Sequence, residues 1–362
     1  MSYEERIELY KSIEKNRNRP LVSYVTSSRP FAGAQMGSDV IPEFTKQLNC
    51  IPKEHKEVDF LIASDGGDPT VSWRIISMLR ERFSKIGVIL PFAAYSAATL
   101  LALGCNELIM HPFANLGPVD PQLRSKRKNG AQDEIVSFGS EDLRSYFDYL
   151  KNDVGISDQE QLQKSFELVC QEIGAIPIGA AKRGAQLSLS MGEKLLSLHM
   201  SDSNKVKTIA SALNTSFYHH GYPLGRKEAK NIGLPIVEPD PELESLMWQV
   251  WENFENEMQS NKPFNPYELI FQNAEVADAF SHVYQVQIPG GLPPQLAEQA
   301  FQQILQQIQP IRVPTVPYEL LQAALESSRC KSQYRTKGQL SAIRNVDMSI
   351  QVAISPISQC WS

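Results

Sequence analysis

Ser96 stands in Val88-Ile89-Leu90-Pro91-Phe92-Ala93-Ala94-Tyr95-Ser96-Ala97-Ala98-Thr99-Leu100, where an apolar run passes at once into small residues. Upstream, the apolar run 58–64 ends in Asp65-Gly66-Gly67, and downstream comes Gly117-Pro118-Val119-Asp120-Pro121-Gln122. A hydroxyl at a strand-to-helix turn, facing a glycine pair on a neighbouring strand end, is an arrangement for a nucleophile beside an oxyanion hole. Glycines there let backbone N–H groups turn toward a ligand, because no Cβ blocks the approach or forbids positive φ. One N–H from Gly66 or Gly67 and one from Ala97 would hold a developing oxyanion, each donor contributing about 3–4 kcal/mol. The helix start behind Ser96 adds partial positive charge. Plainer alternatives are a tight turn for Gly66-Gly67 and a helix cap for Ser96. A serine nucleophile also needs a base that titrates near neutrality, for which histidine is the obvious side chain.

The elements that would position these residues follow from periodicity. Residues 3–18 read as a charged helical lead-in, 21–25 as a short strand and 40–48 as a helix. The dense apolar run 58–64 has the character of a strand buried on both faces. Over 69–84, Val71, Ile75, Ile76, Leu79 and Phe83 recur at helical intervals behind Pro69. Strand 87–91, helix 97–104 and strand 107–110 then complete a strand-helix-strand-helix-strand series suited to parallel pairing. From 141 the pattern turns helical (142–153, 158–173, 176–200, 205–214), with a short helix at 226–232 and a proline-rich close at 235–241. A helix at 243–257 leads into a tail with a glutamine-rich helix at 294–309 and an alternating stretch at 346–354 that suits an edge strand. These signals divide the chain into a lead-in (1–19), a main domain (20–240) and an accessory or oligomerisation extension (241–362).

Composition narrows the function classes. The 362 residues are 42% hydrophobic and 21% charged, enough for a sizeable core. A net charge of −6 argues against a broad nucleic-acid footprint. The one basic cluster, Arg124-Ser125-Lys126-Arg127-Lys128, reads as a solvated loop. Cys50, Cys105, Cys170, Cys330 and Cys360 show neither metal-like nor paired spacing, which fits free buried thiols in a reducing compartment. No secretory leader precedes the first helix, and the apolar window 88–110 splits into strand, helix and strand. The reading is a cytoplasmic chain with no membrane span, no metal and no cofactor.

Ser64-Asp65-Gly66-Gly67, Tyr95-Ser96-Ala97-Ala98-Thr99 and Leu116-Gly117-Pro118-Val119-Asp120-Pro121-Gln122 appear here in order. They are followed by His220-Gly221-Tyr222-Pro223 and Glu228-Ala229-Lys230-Asn231-Ile232-Gly233-Leu234. Together they resemble the serine dehydrogenase proteinase family of the Clp protease/crotonase superfamily, over residues 20 to 238. The resemblance implies an α/β fold, a spiral of repeated ββα-type units with a parallel sheet. It further implies a serine peptidase acting on peptides or unfolded protein, with a tendency to homo-oligomerise.

Carried onto matching positions, the family's proposed triad becomes Ser96 as nucleophile, Asp120 as orienting carboxylate and His220 as general base. His219 beside it is the alternative base. A more distant similarity to signal-peptide-peptidase-like serine proteases, which use lysine, points to the helix near 142, where Lys151 is the candidate. His111 reads as a structural histidine at a strand end. The chain departs from the family in carrying Ala98 where a glycine is usual. Two other readings stay open: a crotonase-like acyl-CoA enzyme using the same oxyanion hole, and an inactive Clp-like scaffold.

Overall fold

The computed structural model describes residues 2–129, 132–215, 221–282, 287, 290–291 and 293–362. The chain forms two compact units. The first comprises 1–28, 34–257 and 323–332, and the second 29–33, 258–322 and 333–362.

In the first unit the elements run α1 (Tyr3–Arg17), β1 (Leu21–Thr26), α2 (Val40–Cys50), β2 (Glu57–Ala63), α3 (Pro69–Arg80), β3 (Lys85–Leu90), β4 (Ala93–Ala94), α4 (Ala97–Leu103), β5 (Glu107–Met110) and β6 (Asn115–Leu116). There follow β7 (Leu123–Asn129), β8 (Gln132–Phe138), α5 (Ser140–Asn152), α6 (Gln159–Ile173), α7 (Ala175–Leu196), α8 (Ser203–Thr215), β9 (Leu224–Gly225), α9 (Arg226–Asn231), β10 (Ile236–Val237) and α10 (Pro241–Met258).

Strands β10, β5, β3, β2 and β1 lie side by side in that order, all parallel. Phe60, Leu61, Val88, Ile89, Leu108 and Ile109 are fully buried. A parallel sheet covered on both faces needs such continuous apolar runs. The long strands lead into short extensions before their helices: Ser64 bridges to Ala94, β3 passes into β4, and β5 passes into β6. This ββα repetition is the spiral α/β fold expected from the motifs. The short extensions form a separate sheet, β4-β6-β9.

Residues 323–326 close the far edge of the main sheet antiparallel to β1, with Tyr24 opposite Leu325. Glu326 is wholly buried and receives Arg6 Nε at 2.8 Å and Nη2 at 2.9 Å. Arg6 also reaches Asn253 and Glu257 and stacks on Phe254. Removing one partner leaves a buried charge uncompensated. Arg6→Ala is therefore expected to cost about 3–5 kcal/mol, read as a lower denaturant midpoint.

The basic run 124–128 is not a loop. It is strand β7, paired antiparallel with β8 from Leu123↔Phe138 to Asn129↔Gln132. The hairpin escapes a period-2 reading because its cations interrupt any apolar face; Phe138 is buried while Ile135 is exposed.

In the second unit, residues 316–322 belong to β12 (Val316–Glu326), which is neighboured by β13 (Lys331–Arg344). The unit also holds α11 (Pro266–Phe271), α12 (Ala274–Ser281), α13 (Pro294–Gln307), β11 (Ile311–Arg312) and β14 (Ile350–Trp361). Ile270, Val276, Phe280, Val313, Tyr318, Leu340 and Ala342 form its core. The alternating stretch expected at 346–354 becomes the longer β14, paired with β13. The sequence division placed everything after 240 in an extension, whereas 241–257 and 323–332 pack in the first unit. Among the described residues no helix is long and apolar enough to cross a membrane.

Candidate active site

Ser96 sits between β4 and α4 with φ 51° and ψ −115°. A left-handed backbone at a non-glycine residue costs on the order of 1–3 kcal/mol and needs surroundings that enforce it. Hydrogen bonds on both sides supply them. Tyr95 N donates to Ser64 O at 2.9 Å, Ala98 N to Tyr95 O at 2.9 Å and Leu100 N to Ser96 O at 3.1 Å. Thr99 Oγ1 donates to Ala94 O at 2.7 Å and Gly117 O at 2.9 Å, while Ser72 Oγ holds Ala97 O at 2.6 Å. Ser96 occupies the cap position of α4, yet its side chain makes no capping bond. The helix-cap alternative is thereby removed, and Oγ has no protein partner among the described residues.

The two glycines divide their work. Gly66 and Gly67 have φ of 96° and 151°. The Gly66 N–H, expected as an oxyanion donor, is occupied: it donates to Ser64 Oγ at 3.1 Å, itself 2.7 Å from Thr26 Oγ1. What Gly66 provides is space. A Cβ there would lie 2.6 Å from Tyr95 O, 2.9 Å from Ala97 N and 3.0 Å from Ser96 Cβ. Gly67 is set by Met36, whose N–H donates to Gly66 O at 2.8 Å and whose carbonyl accepts from Asp68 N at 2.9 Å. The Gly67 and Ala97 N–H groups donate to no acceptor among the described residues, so the free donor pair is Gly67 with Ala97.

Gly67 and Ser96 border a cavity of about 660 Å³, lined among others by Asp65, Gln122, Arg124 and Ser188. Desolvation holds the Asp65 carboxyl above its ordinary value. Val119 and Pro121, the neighbours of Asp120, also line the cavity. They are fixed from behind: Val119 N donates to Leu213 O at 3.0 Å, and Ser188 Oγ donates to Val119 O. Asp120 is buried and accepts from Gln122 Nε2 at 2.9 Å. Desolvation also raises Glu141, with the negative charges of Asp120, Asp142 and Asp148 adding to it and Arg144 opposing.

His219 and His220 lie outside the described residues. Three of the described histidines, His111, His199 and His282, are engaged elsewhere. His111 is buried, stacks on Trp248 with ring centroids 5.0 Å apart and accepts from Phe113 N, as expected of a structural histidine. Burial lowers its pKa and that of His199, whose Nε2 meets Leu103 O at 2.8 Å. Lys151 is exposed on α5 and is not among the cavity-lining residues.

The small sheet nevertheless orders the relevant segments. β4 and β6 are parallel, pairing Ala94 with Leu116, and β9 is antiparallel to β6, pairing Leu224 with Leu116. The exit from β4, the exit from β6 and the entry to β9 therefore share one end. From that register row, Ser96 follows Ala94 by two positions and Asp120 follows Leu116 by four. No pattern of apolar residues announces the two-residue strands that do this.

Residues 41–137 match the family of ClpP-like SDH-type serine proteinases. The resemblance read from the motifs is borne out there, in a segment holding Gly66, Gly67, Ser96, Ala97 and Asp120. An uncharacterized protein of Methanocaldococcus jannaschii is 23% identical over 289 residues, 78% of this chain and 82% of its own length. A second from the same organism is 26% identical over 200 residues, 55% of this chain and 60% of its own. Among solved structures, a membrane-bound stomatin-specific protease is 15% identical, with a TM-score of 0.36 over 62% of this chain and 81% of that one. A probable enoyl-CoA hydratase/isomerase from Mycobacterium abscessus is also 15% identical, with a TM-score of 0.31 over 81% and 89%. The family match supports a hydrolase of the serine-peptidase type.

Proposed function

We propose that this chain is a serine endopeptidase that cleaves peptide bonds through an acyl-enzyme on Ser96. The observation that carries the reading is the strained, uncapped Ser96 bordering the same cavity as Gly67. An idle serine would gain nothing from a left-handed backbone. In the proposed cycle, Ser96 Oγ attacks the scissile carbonyl as His220 accepts its proton. The Gly67 and Ala97 N–H groups hold the oxyanion, and His220 returns the proton to the departing amine. Water then attacks the acyl-enzyme by the same proton route, releasing the second peptide fragment. Asp120 orients the imidazole and stabilises its charged form.

The shared exit end of β4 and β6 supports grouping Ser96 and Asp120. His220→Ala is expected to lower kcat/KM for a fluorogenic peptide by about 10³-fold or more, with His219→Ala near wild type. The reverse order of effects would move the base to His219, and full activity in both single variants and the double variant would discard a histidine base. Asp120→Asn should lower kcat more than it alters KM, because an amide can hold the wrong tautomer without disturbing peptide binding.

Peptides and unfolded segments are the proposed substrates, and self-association is the proposed state, checked by sedimentation. The acyl-CoA reading is weaker: stabilising a thioester enolate needs the two N–H donors but gives no reason to hold a serine under strain.

A further inference from the structure

Two of the cysteines that the sequence scatters meet in the first unit. Cys50 is the last residue of α2, and Cys330 lies in the turn between β12 and β13. Cys50 is exposed and Cys330 partly so, which corrects the expectation of buried thiols at these positions. Cys50 is one of the groups that raise the Cys330 thiol, after its burial. Both also act on the same phenol, raising Tyr3 together with its burial and Glu326.

The end of α2 and the turn are held together by hydrogen bonds. Gln47, one helical turn before Cys50 and so on the same face, donates through Nε2 to Leu325 O at 2.9 Å and to Cys330 O at 3.0 Å. On the other side, Ser327 N donates to Cys330 O at 2.9 Å, and Cys330 N donates to Ser327 Oγ at 3.2 Å. Arg329 reaches back to Glu14 Oε1 at 2.5 Å. The helix face that carries Cys50 is thus tied by Gln47 to the turn that carries Cys330.

We propose that Cys50 and Cys330 are a covalent modification site, converted to an intramolecular disulfide by small disulfides such as oxidised glutathione. The exposed Cys50 gives up its proton to solvent and attacks one glutathione sulfur, forming a mixed disulfide and expelling one glutathione thiolate. Cys330 then loses its proton and attacks the Cys50 sulfur, expelling the second thiolate. Two protein thiols and one oxidised glutathione become one protein disulfide and two reduced glutathione molecules. Desolvation, with the neighbouring Cys50 next, pushes the Cys330 thiol up to about 12, so the second step is the slow one. The bond would staple the strand edge 323–326, paired with β1, to the end of α2.

The test incubates the full chain, natively folded, with oxidised glutathione and maps peptides by mass spectrometry without reduction. The expected product is a Cys50–Cys330 linked peptide pair, absent in Cys50→Ser and in Cys330→Ser. A Tm raised by roughly 5–10 °C and restored by reductant should accompany it. A persistent glutathione adduct on Cys50 with Cys330 still alkylatable, or linkage only through Cys170 or Cys360, overturns the proposal. Peptide hydrolysis does not enter this readout, so it stands or falls apart from Ser96.

Discussion

Ser96→Ala is expected to abolish fluorophosphonate labelling and to lower kcat/KM for peptide hydrolysis by about 10⁴-fold or more, since in the proposed cycle no other group forms the acyl-enzyme. The companion Ser96→Gly separates chemistry from strain. Both variants lose the hydroxyl, but only glycine relaxes at φ 51° without penalty. Ser96→Gly should therefore be inactive and more stable than Ser96→Ala by about 1 kcal/mol, a Tm difference of a few degrees. A stability gain on losing the nucleophile is what a strained catalytic turn predicts. Unchanged labelling in Ser96→Ala would remove Ser96 as nucleophile, and equal stability of the two variants would remove the strain argument.

The second large effect is expected at Gly66, whose N–H is taken by Ser64 Oγ and so is no donor in the proposed oxyanion hole. In Gly66→Ala the added Cβ meets Tyr95 O, Ala97 N and Ser96 Cβ at 3.0 Å or less, all of them parts of the turn itself. The turn has to move, or the methyl covers the Ala97 N–H. Losing one oxyanion donor costs on the order of 10²–10³ in kcat, and the variant should fall by that much with KM little changed. A φ of 96° adds a stability penalty of about 1–2 kcal/mol. Gly179→Ala is the control: its Cβ meets nothing within 4 Å in the second turn of α7, so activity should hold and stability should not fall. Wild-type kcat in Gly66→Ala would show that the Ala97 N–H takes no part in the reaction.

Legibility varied with the kind of signal. The parallel strands and α3 were readable because their burial writes a clear apolar pattern: Val71, Ile75, Ile76 and Leu79 are all buried as their spacing implies. Strand residues 323–326 were not. Ala323-Ala324-Leu325-Glu326 is a run of helix formers, and it is a strand because it borders the exposed edge of β1 and buries Glu326 against Arg6. The β7–β8 hairpin was hidden by its charge run. Strands β4, β6 and β9 are two residues each, below the length at which periodicity carries information.

By itself the sequence determined which groups could react and the order in which they come: a serine after a strand, a glycine pair on the strand before it and an aspartate in a proline-flanked turn. These are properties of local chain chemistry, and residue type and spacing express them directly. The tertiary structure alone decided that Ser96 is strained and not a cap, that Gly67 with Ala97 and not Gly66 holds the free N–H groups, and that Cys50 and Cys330 are neighbours. Each of these depends on what a backbone or side-chain atom meets across the fold. The N–H of Gly66 looks like that of Gly67 in one dimension, and only the arrival of Ser64 Oγ at 3.1 Å tells them apart.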